Sequence, residues 1–293
     1  MDQYADAAGL VERSAAAFIN GIPEDPADDG FFGPASVSWR ISGDLAAPVA
    51  GLRALMIQAL HPLAMAGVDQ HSDWRGDPAG RLASTSAYLA TIAYGDRAAA
   101  ERAAARVRKI HERVRGTDPL TGRPYAAGDP DLLVWVHAAL VDSVLACASL
   151  FGTPVSAADA DTYVAEMTAA AELVGVPAGR APATVAALDA YLAAVRPELA
   201  LSPAAAESTS YLLDLPGIGQ DLGDIWHQLG EAAIASLPAW ASDLYQFTSV
   251  PEVDRTEVRQ VLGVLDVLYL GEPGVLEARQ RIELRMRAAG GAA

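Results

Sequence analysis

Apolar residues recur along this chain at the three- and four-residue spacing of a helix face. Residues 2–20 read as an amphipathic helix, and the following GIPEDPADDGFFGP is a Pro/Gly/Asp-rich connector that cannot continue it. Helical periodicity resumes before Arg53 and runs to Leu60-His61-Pro62, where Pro62 kinks rather than ends it, because LAMAGV still favours helix. Asp77-Pro78 opens the next helix, with Gly95 as its stop. Asp96 caps another, expected to run through His111 to about Arg115 and to end at Gly116. After the turn GTDPLTGRPYAAGDP, Asp129-Pro130 opens a helix that carries His137 and ends near Gly152; DLLVWVHAALVDSVLACASLF is apolar nearly all round and should be central. Ser156, Thr184 and Ser202-Pro203 read as further caps, Gly217-Ile218-Gly219 as loop punctuation, and the last helices fall near 252–270 and 273–288, before a frayed Ala/Gly-rich end.

No repeat and no shift in composition marks a boundary. The expectation is all-α: one globular helical domain of about ten helices over residues 35–290, preceded by an N-terminal helix and connector over 1–34. Composition agrees: 52% of the 293 residues are hydrophobic and 6% aromatic, and abundant alanine favours helix.

A net charge of −16 argues against a nucleic-acid partner and disfavours an anionic membrane surface. The cations are unevenly placed. Arg102, Arg106, Arg108, Lys109, Arg113 and Arg115 crowd one stretch, and Lys109 is the only lysine. The single cysteine, Cys147, excludes an intramolecular disulfide and suits a reducing compartment. With no secretory pattern at the N-terminus and no apolar stretch judged long enough to span a bilayer, a soluble, cytoplasmic protein with no membrane partner is expected. No feature sets an oligomeric state.

Four of the five histidines, His61, His71, His111 and His137, fall within 77 consecutive residues. On the helix opened by Pro78, Arg81, Thr85 and either Tyr88 or Leu89 share one face. On the next, Ala100, Ala104, Val107, His111 and Val114 share an inward stripe, while Arg106, Lys109 and Arg113 largely point elsewhere. An imidazole on an apolar stripe is either a core histidine bonded to a backbone carbonyl or a ligand. A lone imidazole with hydrophobic walls suits haem iron, since the porphyrin supplies the other four nitrogens, and nearby arginines would neutralise propionates. A protein-only metal site fits less well, because the histidines lie on different helices without an HxxxH or ExxH pair. His137 on the central helix is a core histidine or a site residue; His61 at the break would bond freed carbonyls; His71 lies in a loop, as lid or capping group; His227 is assigned to structure. Trp74 and Trp135 read as packing.

Taken together, His61-Pro62, the Ala-Gly-Val at 66–68, His71-Ser72, Arg81-Leu82 with Thr85, Tyr94-Gly95, Val107-Arg108 with His111, Val114-Arg115-Gly116, Tyr125, Asp129-Pro130 and Trp135-Val136-His137 resemble the MpaB and rubber oxygenase (latex clearing protein) family over roughly residues 35–200. The resemblance implies a globin-like helical core holding one haem b and an oxygenase reaction with dioxygen, which in members of known activity cleaves carbon–carbon double bonds. By position it implies His111 as the axial iron ligand, with His137 as the alternative, and Arg81 and Thr85 as catalytic and haem-pocket residues; Arg108 and His71 join the cofactor-binding set. The latex clearing proteins carry a lysine just before that threonine, where this chain has Ser84, so a cationic donor has become a hydroxyl. The expected substrate is a small apolar or unsaturated molecule. Two other readings stand beside this one: a non-catalytic haem or apolar-ligand binding protein, and a cofactor-free helical enzyme using His71, His111 and His137 as acid–base groups.

Overall fold

The computed structural model describes residues 5–24, 26–215 and 219–290. Residues 2–4 of the first expected helix, Gly217-Ile218 and the last three residues lie outside them. The described chain is all-α: fourteen α-helices, one 3-10 turn and one two-stranded hairpin. Four helices more than expected arise mainly because short ones, such as α2 (Val37–Ser42) and α12 (Ala239–Tyr245), carry too few turns to show a period.

The frame is the pair α3 (Ala47–Ala59) and α7 (Pro130–Phe151). Helix α7 starts where expected: the Asp129 side chain accepts from the Asp131 N–H, Pro130 supplies a preset φ, and Gly152 follows the last turn. No Cβ would fit at Gly152, because it would meet the Asp44 carboxylate at 1.8 Å. That carboxylate accepts from Thr153 N–H at 2.8 Å and so ties the end of α7 to the segment before α3. Between the two helices Met56, Ile57, Leu60, Trp135 and Val141 are fully buried, each stabilising the fold by about 1.5–3 kcal/mol. Helix α8 (Ala157–Leu173) packs on α7, and α11 (Gly219–Ala235) and α10 (Pro203–Leu213) pack on α3; α13 (Arg255–Leu270) touches α7 and α11. Helix α1 (Ala5–Gly21) lies along α5 (Pro78–Tyr94) with α14 (Val275–Ala288) against it.

Two expectations are corrected. Helix α6 (Arg97–His111) stops at His111, and Arg115–Thr117 (β1) pairs antiparallel with Pro124–Ala126 (β2), Gly116 opposite Tyr125. The turn between the strands is built by Asp118, whose buried side chain accepts from the N–H groups of Leu120 and Thr121 and from the Thr121 hydroxyl, a local arrangement that competes with helix. Helix α7, with 22 residues and a mean hydropathy of 1.8, does reach the length and apolarity of a membrane span, contrary to the count made from sequence. Here 61% of that window is buried against other helices. The pair α3 and α4 (Pro62–His71) passes the same test together but bends by 104° at His61-Pro62.

A buried cation pins this frame. Arg53, 3% exposed, donates from Nε to the Ser236 carbonyl at 3.0 Å and from one terminal nitrogen to Asp142 and to the Ser143 hydroxyl, both at 2.7 Å, linking α3, α7 and the end of α11. Replacing Arg53 by methionine leaves these acceptors unanswered and should cost about 3 kcal/mol, the lower part of the range for a broken buried pair because Asp142 keeps some solvent. Adding Asp142→Leu to that variant should recover part of the loss in urea unfolding.

Candidate functional site

Helices α5 and α6 form an antiparallel hairpin whose tight connection is Gly95-Asp96, so the start of α5 lies beside the end of α6. Each helix is capped as expected, Asp77 accepting from Gly80 N–H and Asp96 from Ala99 N–H. His111, the last residue of α6, is half-buried. Neither ring nitrogen has a hydrogen-bond partner among the described residues, and Nδ1 is fully buried. Desolvation, and then the positive charge of Arg81, hold its pKa below the usual histidine value, so the imidazole is neutral at pH 7 with a free lone pair.

Arg81 has no ion pair or side-chain hydrogen bond among the described residues. The side chain is exposed, and the protein around it desolvates the guanidinium enough to lower its pKa. One turn on, the Thr85 hydroxyl donates to the Arg81 carbonyl at 3.0 Å, and Ser84 donates to the Gly80 carbonyl at 2.8 Å. Both hydroxyl protons are therefore used within the helix, leaving acceptor lone pairs outward. Two turns from Arg81, Tyr88 is half-buried and pushed up to about 12 by desolvation, partly offset by the nearby charge of Arg108. Arg108 itself donates to the Leu173 carbonyl at the end of α8, which anchors α6 one turn before His111. Sequence spacing left Tyr88 and Leu89 undecided for this face; the Tyr88 phenol, near Arg108, is the polar group it gains.

The other histidines lie apart from this pair. His71 ends α4 rather than lying in a loop, and its exposed ring sits 3.1 Å from both the Arg115 carbonyl and Tyr125 Oη. Since a carbonyl only accepts, Nε2 carries the proton. Tyr125 Oη donates to Gln70 at 2.9 Å, and a Cβ at Gly116 would meet that phenol at 2.6 Å, so glycine is required in β1 for this network. His137 is buried on α7 with no partner among the described residues, and desolvation pushes it down to about 4. Nothing couples it to His111 or Arg81. His61, at the α3–α4 bend, does not bond freed carbonyls as expected: its Nδ1 is buried without a partner, and the ring packs 5.9 Å from Trp135. Proline at 62 lets α4 begin without an N–H to satisfy, so the break leaves the imidazole little to answer. His227 is 73% exposed beside Glu231. Cys147 is a free, buried core thiol. Among the described residues no group of three or more His, Cys, Asp or Glu side chains is arranged to hold a metal ion.

Two consequences are measurable. His137 stays neutral when folded but has an ordinary pKa near 6.5 when unfolded, so its contribution is complete above pH 6.5 and is lost as pH falls toward 4. Urea unfolding should show roughly 3 kcal/mol lost across that window and a flatter profile in His137→Leu. Replacing Arg81 by methionine removes one of the two causes that depress His111, so the imidazole pKa should rise when followed by NMR titration.

A family model described as "ER-bound oxygenase mpaB/B'/Rubber oxygenase, catalytic domain" matches residues 39–267. No curated protein and no solved structure shows significant similarity to the chain. The matched span runs from within α2 almost to the end of α13 and takes in Arg81, Thr85 and His111 together with the α3–α7 frame that supports them. The chain therefore belongs to the MpaB/rubber oxygenase family and contains its catalytic domain.

Proposed function

We propose that this family member is a haem b-dependent oxygenase that uses dioxygen on a small apolar or unsaturated substrate. The observation that carries the cofactor is the unpartnered His111 ring, close enough to the unpartnered Arg81 to feel its charge. Protein encloses Nδ1, so the nitrogen left to take iron is Nε2, which no described residue bonds. Two donors fit the same group: a neutral imidazole for the iron, and an unpaired guanidinium for a propionate or a polar oxygen. Bound haem would supply iron that exchanges single electrons with dioxygen.

The chain's own residues then divide the work. His111 holds the iron, and the Arg108 bond to the Leu173 carbonyl fixes the helix end from which His111 projects. Arg81, exposed and without a partner among the described residues, neutralises or orients negative charge near His111. Thr85 presents a methyl group and acceptor lone pairs, and Tyr88 keeps its proton through the neutral range and can donate it in a hydrogen bond. His71 holds the β-hairpin against α4. His137 is the alternative residue that would hold the iron.

Residues 1–34 are proposed as an N-terminal helix and connector to a domain over 35–290 with a globin-like core, and the free Cys147 supports a reducing, cytoplasmic setting. A non-catalytic haem or apolar-ligand carrier is the second reading, favoured by Ser84, whose hydroxyl is spent on Gly80 and supplies no cation beside Thr85. The acid–base reading finds less support, since His137 is held near 4 and no histidine bonds another.

Protein expressed with a haem precursor should show a Soret band that His111→Ala abolishes; a spectrum unchanged in that variant would move the axial role to His137 or His71. Oxygen uptake with alkenes, lowered roughly 100-fold by Arg81→Met, separates an enzyme from a carrier. Failure to load haem at all would sink this reading.

A further inference from the structure

The cation-rich end of α6 has no task in the reading above. Arg106, Lys109 and Arg113 lie one turn apart on the side away from the Ala100–Ala104 stripe, all exposed. None has an ion pair or hydrogen bond among the described residues, although arginines elsewhere find acids: Arg40 with Asp159, Arg75 with Asp69 and Glu207, Arg285 with Asp29. Complementing the negative end of the helix dipole accounts for one or two cations in the last turn. It does not account for a row from Arg102 to Arg115 in a chain of net charge −16.

The three cations and His71 edge a groove of about 480 Å³ whose remaining lining is Ile110 and Val114. Ile110 is 60% exposed there. The groove is thus apolar between like charges that repel one another, an arrangement relieved by a ligand with an anionic head and a hydrocarbon body. We propose that this groove binds a small amphipathic anion, a carboxylate on an alkyl chain. An inorganic anion alone would leave Ile110 and Val114 wet, and an uncharged hydrocarbon would leave the cations unanswered. The net charge of −16 disfavours an anionic lipid surface, and the volume lies in the range of small-molecule pockets. The site stands whether or not the chain binds haem.

Calorimetric titration of the full chain with decanoate tests it, with decanol and inorganic phosphate as separate probes. Decanoate should bind saturably at one site, at least roughly tenfold more tightly than either control, and more weakly as salt rises. The triple variant Arg106→Glu, Lys109→Glu, Arg113→Glu should weaken decanoate at least roughly tenfold with unchanged circular dichroism. Lys109→Gln alone, which removes one exposed charge with little risk to folding, should weaken it severalfold, and Ile110→Asn should do the same through the tail. Equal binding of decanol, no saturable decanoate binding, or undiminished binding in Lys109→Gln overturns the proposal. Charge-dependent pelleting with phosphatidylserine vesicles in the absence of decanoate binding also overturns it, in favour of a membrane surface.

Discussion

Arg53 places a permanent positive charge where almost no water reaches, and three helices are arranged to answer it. The guanidinium takes its oxygens from α7, from the residue after α11 and from a serine side chain, so α3 cannot slide along α7 without stranding a charge. Nearly two turns along the same seam the contact is locked again. Gln58 donates to the Val136 carbonyl at 2.9 Å while Trp135 donates to the Gln58 carbonyl at 3.1 Å. Tyr245 adds a third tie, its hydroxyl donating to the Met56 carbonyl at 2.7 Å. With register fixed at these points, the bend at His61-Pro62 occurs at a defined place, and α4 leaves the core in a defined direction. The positions of the hairpin, α5 and α6 follow from it.

The site then differs from the Arg53 contacts in how its polar groups are used. In the frame Arg53 and Gln58 are committed to named acceptors, while the buried rings of His61 and His137 have none. His111 and Arg81 likewise have no partner among the described residues, and desolvation together with the Arg81 charge depresses the protonated imidazole. Such groups are a cost in a protein that only has to fold, and they concentrate where binding or chemistry occurs. The alanine stripe of α6 lets that helix approach its neighbours closely, and the Arg108 anchor sets its end, so the uncommitted pair is held by committed neighbours.

Local signals made much of this legible. Asp77, Asp96, Asp129, Ser156, Thr184 and Ser202 each cap the helix they were read to cap, because capping is decided within three residues. The shared face of Arg81 and Thr85 and the inward side of His111 follow from helix geometry alone. What sequence did not reveal depends on partners distant in the chain or on short elements. The β-hairpin was hidden because Arg115–Thr117 continues a helix-like run and gains its partner only through the Asp118 turn. His71 and His137 are close to His111 in sequence but are claimed by Tyr125 and by the core of α7, and no periodicity predicts which helix face meets which. Helix α7 looked too short an apolar run to matter for a membrane, although its polar residues are few enough to pass; burial against α3 and α8 shows where that surface is spent.

The placement of Lys109 has a practical consequence. It is the sole lysine of the sequence, it is exposed, and it lines the groove on α6 two residues before His111. Apart from the terminal amine, an amine-reactive fluorophore would therefore find one side chain and report from a known spot. The same residue gives a lysine-specific protease a single cleavage point, in the last turn of α6 just ahead of His111. A molecule with one such handle can be immobilised, spectroscopically tagged or cut in a single orientation, and that address lies beside the site whose ligand is sought.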